Sequence, residues 1–260
     1  MIQLSISKLK LFKACRRAYE LKYLEGLEPV ETADALKVGL GYHSRLESIY
    51  KGEAVEADYS KEAAMTEAYR KYILPQIPKV TPEIWVEKEF DWGVLRGRVD
   101  GASPDGALVE HKTTSLSPEE YLFNLQLDEQ ILAYMYLTGY RQVHYTVCRK
   151  PTIRQKKSET DEEFFRRMVE WYDEDPDQKI GTFLIQRTNR EVFIFAVELN
   201  KVAEEMNASD CVYYRNTCNC NIWGRRCEYA PVCLHYDPAQ EYVGLKKKEE
   251  KCNGESDFVF

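Results

Sequence analysis

With 260 residues, 44% of them apolar and 30% charged, the chain is long enough to bury a sizeable core and too rich in apolar residues to stay disordered. Its formal net charge of −7 excludes a surface coated in basic residues, although a local basic groove remains compatible with it. The longest apolar runs are far too short to span a bilayer, and the N-terminal MIQLSISKLKLFKAC lacks the apolar run and small-residue cleavage site of a signal peptide. A cytoplasmic protein is therefore expected, and its eight cysteines are poor candidates for disulfides.

In chain order, the first third reads as helical. SKLKLFKACRRAYELKYLEGL spaces Leu9, Phe12, Ala14 or Cys15, Tyr19 and Tyr23 as one helix does, with Gly26 as its stop. ALKVGLGYHSRLESIYKG predicts a second helix ending at Gly52, and KEAAMTEAYRKYIL a third ending before Pro75. The period then changes. IWVEKEFDW and VLRGRVDGAS alternate as strands, and ALVEHKTT follows the turn at Pro104, Asp105 and Gly106, giving an antiparallel meander. Ser117, Pro118 and Glu120 form a helix start, and the helix SPEEYLFNLQLDEQILAYMYLTG is expected to run to Gly139. QVHYTVCRK reads as a strand, RKPTIRQKK as a loop, and DEEFFRRMVEWYDE as a helix opened by Thr160 and Glu163. TFLIQRT and EVFIFAVEL look like two strands turning at Asn189 and Arg190, followed by a helix, NKVAEEMNASDCVYY. Beyond Pro238 the chain is charged.

The hairpin GRVDGASPDGALVEHKTTS carries the chemistry. Residues i and i+2 of a strand share a face, so Glu110 and Lys112 project together and His111 points away. Asp100, on the preceding strand, can reach the same volume. Two carboxylates there repel and raise one pKa, and a divalent cation resolves the conflict; hard oxygen ligands suit Mg²⁺ or Mn²⁺. The Lys is left to stabilise negative charge on a substrate, as in cutting a phosphodiester. Taken alone, the same residues also describe a surface hairpin with an ordinary Glu110–Lys112 ion pair. The following helix carries Gln126, Gln130 and Tyr134 at i, i+4 and i+8, on one face.

GRVDG, EHKTT and QILAY together resemble the three signatures of the PD-(D/E)XK nuclease superfamily, in its RecB-like branch. The resemblance runs from about Leu9 to Tyr236. It implies an α/β fold: a restriction-endonuclease-like core with a mixed central sheet flanked by helices, a helical N-terminal part and a C-terminal Cys-rich segment. As domains, it implies one nuclease unit over 1–240 (helical 1–80, core 84–200, Cys-rich 201–240) and a charged tail over 241–260. It implies Asp100 and Glu110 as metal ligands, with the carbonyl of His111 completing the shell, and Lys112 as the catalytic lysine. Gln130 and Tyr134 are implied to contact DNA and support the site. The branch also uses a helical His in the pattern G-x-x-x-H-x-x-L-E, which GLGYHSRLE supplies as His43. His144 and His235 fit no such pattern and read as structural.

The last part of the chain reads CVYYRNTCNCNIWGRRCEYAPVCLHY. Four thiols in so short a window are unusual for a core, and a local zinc knuckle of Cys218, Cys220, Cys227 and Cys233 fits their number. Relatives with an iron–sulfur cluster instead take one Cys from the first helix and three from the C-terminus. The resemblance therefore implies a cluster on Cys15, Cys220, Cys227 and Cys233, of the 4Fe–4S type, with Cys218 as the uncertain member. Cys148, Cys211 and Cys252 carry no motif.

The implied function is a metal-dependent DNA exonuclease acting at single-stranded or frayed ends in recombination, repair, phage DNA metabolism or spacer acquisition, with a helicase, recombination or integrase partner. Arg98 is a candidate DNA contact, beside Arg16, Arg17, Arg96 and the run Arg149, Lys150, Arg154, Lys156 and Lys157. The alternatives are a catalytically silent DNA- or partner-binding module and a zinc-stabilised regulatory protein.

Overall fold

The computed structural model describes residues 1–222, 224–235 and 244–248. The described residues form two compact units: one of residues 34–87 and 97–196, the other of residues 1–33, 88–96 and those described from 197 onward. The predicted tail residue Cys252 and the tip of the resemblance at Tyr236 lie outside the described residues.

The larger unit is built on Thr81–Glu87 of strand β3 (Thr81–Phe90), Gly97–Ala102 of β4 (Gly93–Ala102), and strands β5 (Ala107–Thr114), β6 (Gln142–Arg149) and β7 (Ile180–Gln186). β3 pairs with β4 and β4 runs antiparallel to β5; β5 and β6 are parallel, and β6 and β7 antiparallel. The parallel step requires a crossover, which two helices provide: α5 (Pro118–Gln126) and α6 (Glu129–Thr138). The sheet is thus mixed, as expected. Helices α3 (Asp34–Lys51), α4 (Lys61–Tyr72) and α7 (Asp161–Glu174) cover one face. There Tyr42, Leu46, Met65 and Tyr69 pack with Val109, Cys148 and Ile180 of the strands. On the other face Leu125, Ile131, Tyr134 and Met135 meet Val99, Leu108, Val143, Tyr145 and Val147. β5 and β6 therefore bury both faces, and Glu110 and Lys112 share the α5–α6 side with Leu108.

In the smaller unit, β1 (Ile2–Leu4) lies parallel to Gly93–Leu95 of β4. Helices α1 (Ile6–Ala14) and α2 (Arg16–Tyr19) follow, then a π-helical stretch, Glu20–Leu24. β2 (Leu27–Pro29) pairs antiparallel with β10 (Leu245–Lys247), so the charged C-terminal stretch contributes a strand. Two short strands, β8 (Asn221–Ile222) and β9 (Arg225–Arg226), and helix α9 (Ala230–His235) complete it.

Three sequence expectations are corrected. The first helix is not continuous: Cys15 is extended (φ −160°, ψ 108°) and separates α1 from α2. The helix from Pro118 to Gly139 breaks at Leu127, where Asp128 leaves helical geometry to cap α6 through its side chain and the Gln130 N–H. Gln126 therefore lies on a different helix from Gln130 and Tyr134. EVFIFAVEL is not a strand but the first half of α8 (Asn189–Asn207). Val192, Phe195, Ala196 and Leu199 are buried at helical spacing, and Thr188 and Glu191 exchange the two hydrogen bonds of a capping box. The β-branched and aromatic content suits either structure, but only the helix buries that stripe.

Candidate active site

The site lies wholly in the larger unit, where β4 and β5 stop pairing. The ladder joins Ala102 to Leu108 and Gly101 to Val109. One step further stand Asp100 and Glu110. The His111 N–H is taken by the Asp100 carboxylate at 2.8 Å, so a side chain occupies the position of the next ladder bond. His111 itself turns to the α3–α4 side, where its ring meets Tyr50, Thr146 and the edge of Tyr69. Burial pushes its imidazole down to about 3, so it is neutral.

His43, on α3, places Nδ1 3.3 Å from Asp100 Oδ1. This brings the upstream helix to the hairpin. Burial disfavours charge on both groups, but each outweighs that for the other: His43 is raised and Asp100 held well below the usual carboxylate range. Glu110 behaves oppositely. Burial, with the neighbouring charges of Asp100 and Asp128, pushes it up to about 7 despite the Lys112 ammonium 2.6 Å from Oε1. Lys112 stays charged, raised by Glu110 and Asp128 against its own burial. One ammonium does not balance three carboxylates. The surplus negative charge is what a divalent cation neutralises, and Glu110 Oε2 is buried with no hydrogen-bond partner. The donors present, a carboxylate pair and an imidazole, suit such an ion. Among the described residues, however, no group of three or more His, Cys, Asp or Glu side chains is already arranged around one point as a metal site.

On the other side, Lys112 Nζ donates to Gln130 Oε1 at 2.8 Å, Gln130 Nε2 to the Tyr134 hydroxyl at 2.9 Å, and that hydroxyl to the Arg98 carbonyl at 2.7 Å. Tyr134 is 5% exposed and packs where Gly97 has no side chain; a Cβ on Gly97 would stand 2.6 Å from its ring. Two residues of this site escaped the sequence reading. Asp128 caps α6, accepts from the Tyr145 hydroxyl at 2.7 Å and lies 3.5 Å from Lys112 Nζ. An Asp two positions before Gln130 was a readable cap signal. Glu83, on β3, pairs with Arg98 at 2.8 Å, and no sequence pattern pointed to it.

The four cysteines of the expected cluster lie in the smaller unit. Cys15 Sγ accepts the Asn216 N–H at 3.4 Å, and Cys227 N–H donates to the Cys220 carbonyl at 2.9 Å. Burial raises the Cys227 and Cys233 thiols. The charges of Cys220 and Cys15 add to the effect at Cys227, and those of Cys227 and Cys15 at Cys233. Cys15, Cys227 and Cys233 pack against Leu21, Leu27 and Tyr229. Cys15, Cys220, Cys227 and Cys233 are partly buried free thiols, whereas Cys218 is exposed. Cys148 is buried under Tyr172 on the sheet of the larger unit. Arg16 and Arg17 are engaged in ion pairs with Glu205 and with Glu20 and Glu25.

The family model of the PD-(D/E)XK nuclease superfamily matches residues 3–77 and 54–234, nearly the whole described chain. The chain belongs to the PD-(D/E)XK nuclease superfamily. Among solved structures, this nuclease-superfamily chain is similar to a protein from Eubacterium rectale provisionally named an exonuclease, at 14% identity and a TM-score of 0.54 over 92% of this chain and 90% of that one. A phage-related exonuclease from Haemophilus somnus 129PT is 18% identical over 69% of this chain and 87% of its own, with a TM-score of 0.40. An alkaline exonuclease from Laribacter hongkongensis is 16% identical over 66% and 89%, with a TM-score of 0.31. At such identities the Eubacterium likeness speaks for the fold alone. No curated protein matches the chain. Among the described residues no helix is long and apolar enough to cross a membrane.

Proposed function

We propose that this member of the superfamily is a divalent-metal-dependent DNA exonuclease of the RecB-like branch. The observation that carries the reading is the carboxylate surplus around Lys112, with Glu110 Oε2 buried and unpartnered. His43, Asp100 and Glu110 would hold Mg²⁺ or Mn²⁺, with the His111 carbonyl. Such an ion supplies a more acidic water and neutralises phosphate charge. The remaining work falls to the chain. Lys112, kept charged and oriented by Gln130, offers its ammonium to the developing charge on the phosphate. Asp128 holds Lys112 from the α6 side. Tyr134 fixes Gln130 and the backbone of Arg98, whose guanidinium serves as a phosphate contact.

Cys15, Cys220, Cys227 and Cys233 would carry an iron–sulfur cluster with a structural role, uniting the ends of the smaller unit. The closeness of Cys15 and Cys220 to Cys227, and of Cys15 and Cys227 to Cys233, felt in the raised Cys227 and Cys233 thiols, supports this set, and the exposure of Cys218 argues against its membership.

Purified anaerobically and given DNA labelled at either end, the protein should shorten it stepwise with Mg²⁺ or Mn²⁺ and not with EDTA. Metal-independent binding without cleavage would favour a silent DNA-binding module instead.

A further inference from the structure

We propose that Trp85 and Arg98 form a binding station for an unpaired nucleotide beside the hairpin site, with the Glu83 carboxylate standing in for the phosphate. The proposal rests on the nuclease reading above and names the form of nucleic acid the site takes.

Arg98 and Asp100 lie two residues apart on β4, so they share a face about 7 Å apart. Arg98 is also coupled to the hairpin through its carbonyl, by the three hydrogen bonds that run through Tyr134 and Gln130 to Lys112. Its side chain leaves the site and lies over the ring of Trp85, with the guanidinium carbon 5.9 Å from the ring centroid. Trp85 belongs to β3 and is 47% exposed, an unusual place for the largest apolar side chain, whereas its neighbours Ile84 and Val86 pack on the core. A half-exposed indole beside a guanidinium suits an unstacked base and its phosphate; every base has a π face, so the contact is tolerant of sequence. A base inside a duplex cannot present that face.

Arg98 already holds an anion. Glu83 Oε1 lies 2.8 Å from its Nη1. Glu83 takes up this position with a left-handed backbone, φ 44°, which a non-glycine residue adopts only when its surroundings hold it there. Glu47, one turn beyond His43 on α3, stands beside Glu83, and burial together with this neighbour raises the Glu83 carboxyl; Glu47 is itself paired with Lys51. A phosphate on Arg98 would have to displace Glu83 from it. The carboxylate therefore competes with substrate and sets a threshold for binding.

Tryptophan emission tests this in EDTA, where metal-dependent cleavage cannot interfere. A 12-nucleotide single strand should quench the wild-type protein, and a blunt duplex of the same sequence should quench it far less. In Trp85→Ala the quench should largely vanish and single-strand affinity should fall about ten-fold, with duplex affinity little changed; Trp85→Phe should restore most of the affinity. Glu83→Gln, which keeps the shape and removes the charge, should tighten single-strand binding several-fold. An undiminished quench in Trp85→Ala, an equal loss for duplex and single strand, or unchanged or weaker binding in Glu83→Gln would overturn the station. Wild-type cleavage with Mg²⁺, run alongside, separates the two readings. Cleavage without a Trp85-dependent quench removes the station alone. A Trp85-dependent quench without cleavage upholds the station and removes the nuclease reading.

Discussion

The hydroxyl of Tyr134 donates a 2.7 Å hydrogen bond to the carbonyl of Arg98, across from helix α6 to strand β4. The contact exists because Gly97, the preceding residue, leaves room for the ring; its missing Cβ would fall 2.6 Å from Tyr134. A small residue on the strand and an aromatic on the helix are thus one feature, and they lock Gln130 and Lys112 in turn.

Gly97→Ala should therefore cost about 1–3 kcal/mol by overpacking. Adding Tyr134→Ala should remove that clash, so the double variant should lose less stability than the sum of the two single variants. Tyr134→Phe, which keeps the ring and drops the hydrogen bond, should cost about 1 kcal/mol. Urea denaturation midpoints of the four proteins check the cycle; strict additivity would mean that the two residues do not act together.

Lys112→Met should reduce cleavage by at least about a hundred-fold while leaving Mn²⁺ binding measurable by calorimetry. It also removes the ammonium 2.6 Å from Glu110 and 3.5 Å from Asp128. In EDTA the variant should lose about 3–5 kcal/mol of stability at neutral pH, as expected when one partner of a buried pair is deleted. A rate equal to wild type would remove Lys112 from the chemistry.

The pH dependence of stability follows from Glu110. Its carboxyl is raised from 4.5 to about 7 in the folded protein, so the native state binds this proton more tightly than the unfolded chain does. Its stabilising contribution is complete below pH 4.5 and is lost as pH rises toward 7, by on the order of 3 kcal/mol. Asp100, depressed by His43 and His111 against its burial, acts in the opposite sense and loses its contribution only in strong acid. His111, held at about 3, acts against Glu110 up to pH 6.5 and is common to wild type and Glu110→Gln, so in EDTA the Tm of the wild type relative to Glu110→Gln should fall from pH 5 to pH 8. A relative Tm that rises over this range without metal would contradict the assignment.

Metal binding should release protons, because Glu110 and His43 both hold theirs to higher pH than ordinary groups. Mn²⁺ affinity should accordingly increase from pH 6 to pH 8. His43→Ala should weaken it by about ten-fold or more and reduce the protons released. Calorimetry in buffers of different ionisation enthalpy reads both quantities. Unchanged affinity in His43→Ala would leave this residue as packing.

For the thiols, Cys15→Ser should yield colourless, poorly soluble protein, and Cys220→Ser should do the same. Cys218→Ser and Cys148→Ser should keep the brown colour. Iron and acid-labile sulfide content decides the matter. Full iron in Cys15→Ser with loss in Cys218→Ser would move the site to the C-terminal four.

The sequence by itself determined what is local. Alternation put Glu110 and Lys112 on one face and His111 on the other, the two capping boxes fixed α5 and α7, and the Asp-Gly turn closed the hairpin. These follow from periods of two and 3.6 residues and from backbone groups a few positions apart. Tertiary structure decided the rest. Asp128 became a buried partner of Lys112 only because α6 breaks from α5 and packs against β5. EVFIFAVEL satisfied strand and helix alike until one stripe of it found a surface to bury. His43 lies 57 residues from Asp100, and Cys15 lies 201 from Asn216. Their approach depends on which faces are covered and which chain ends meet, and no short stretch of sequence holds that information, because burial is a property of the assembled layers.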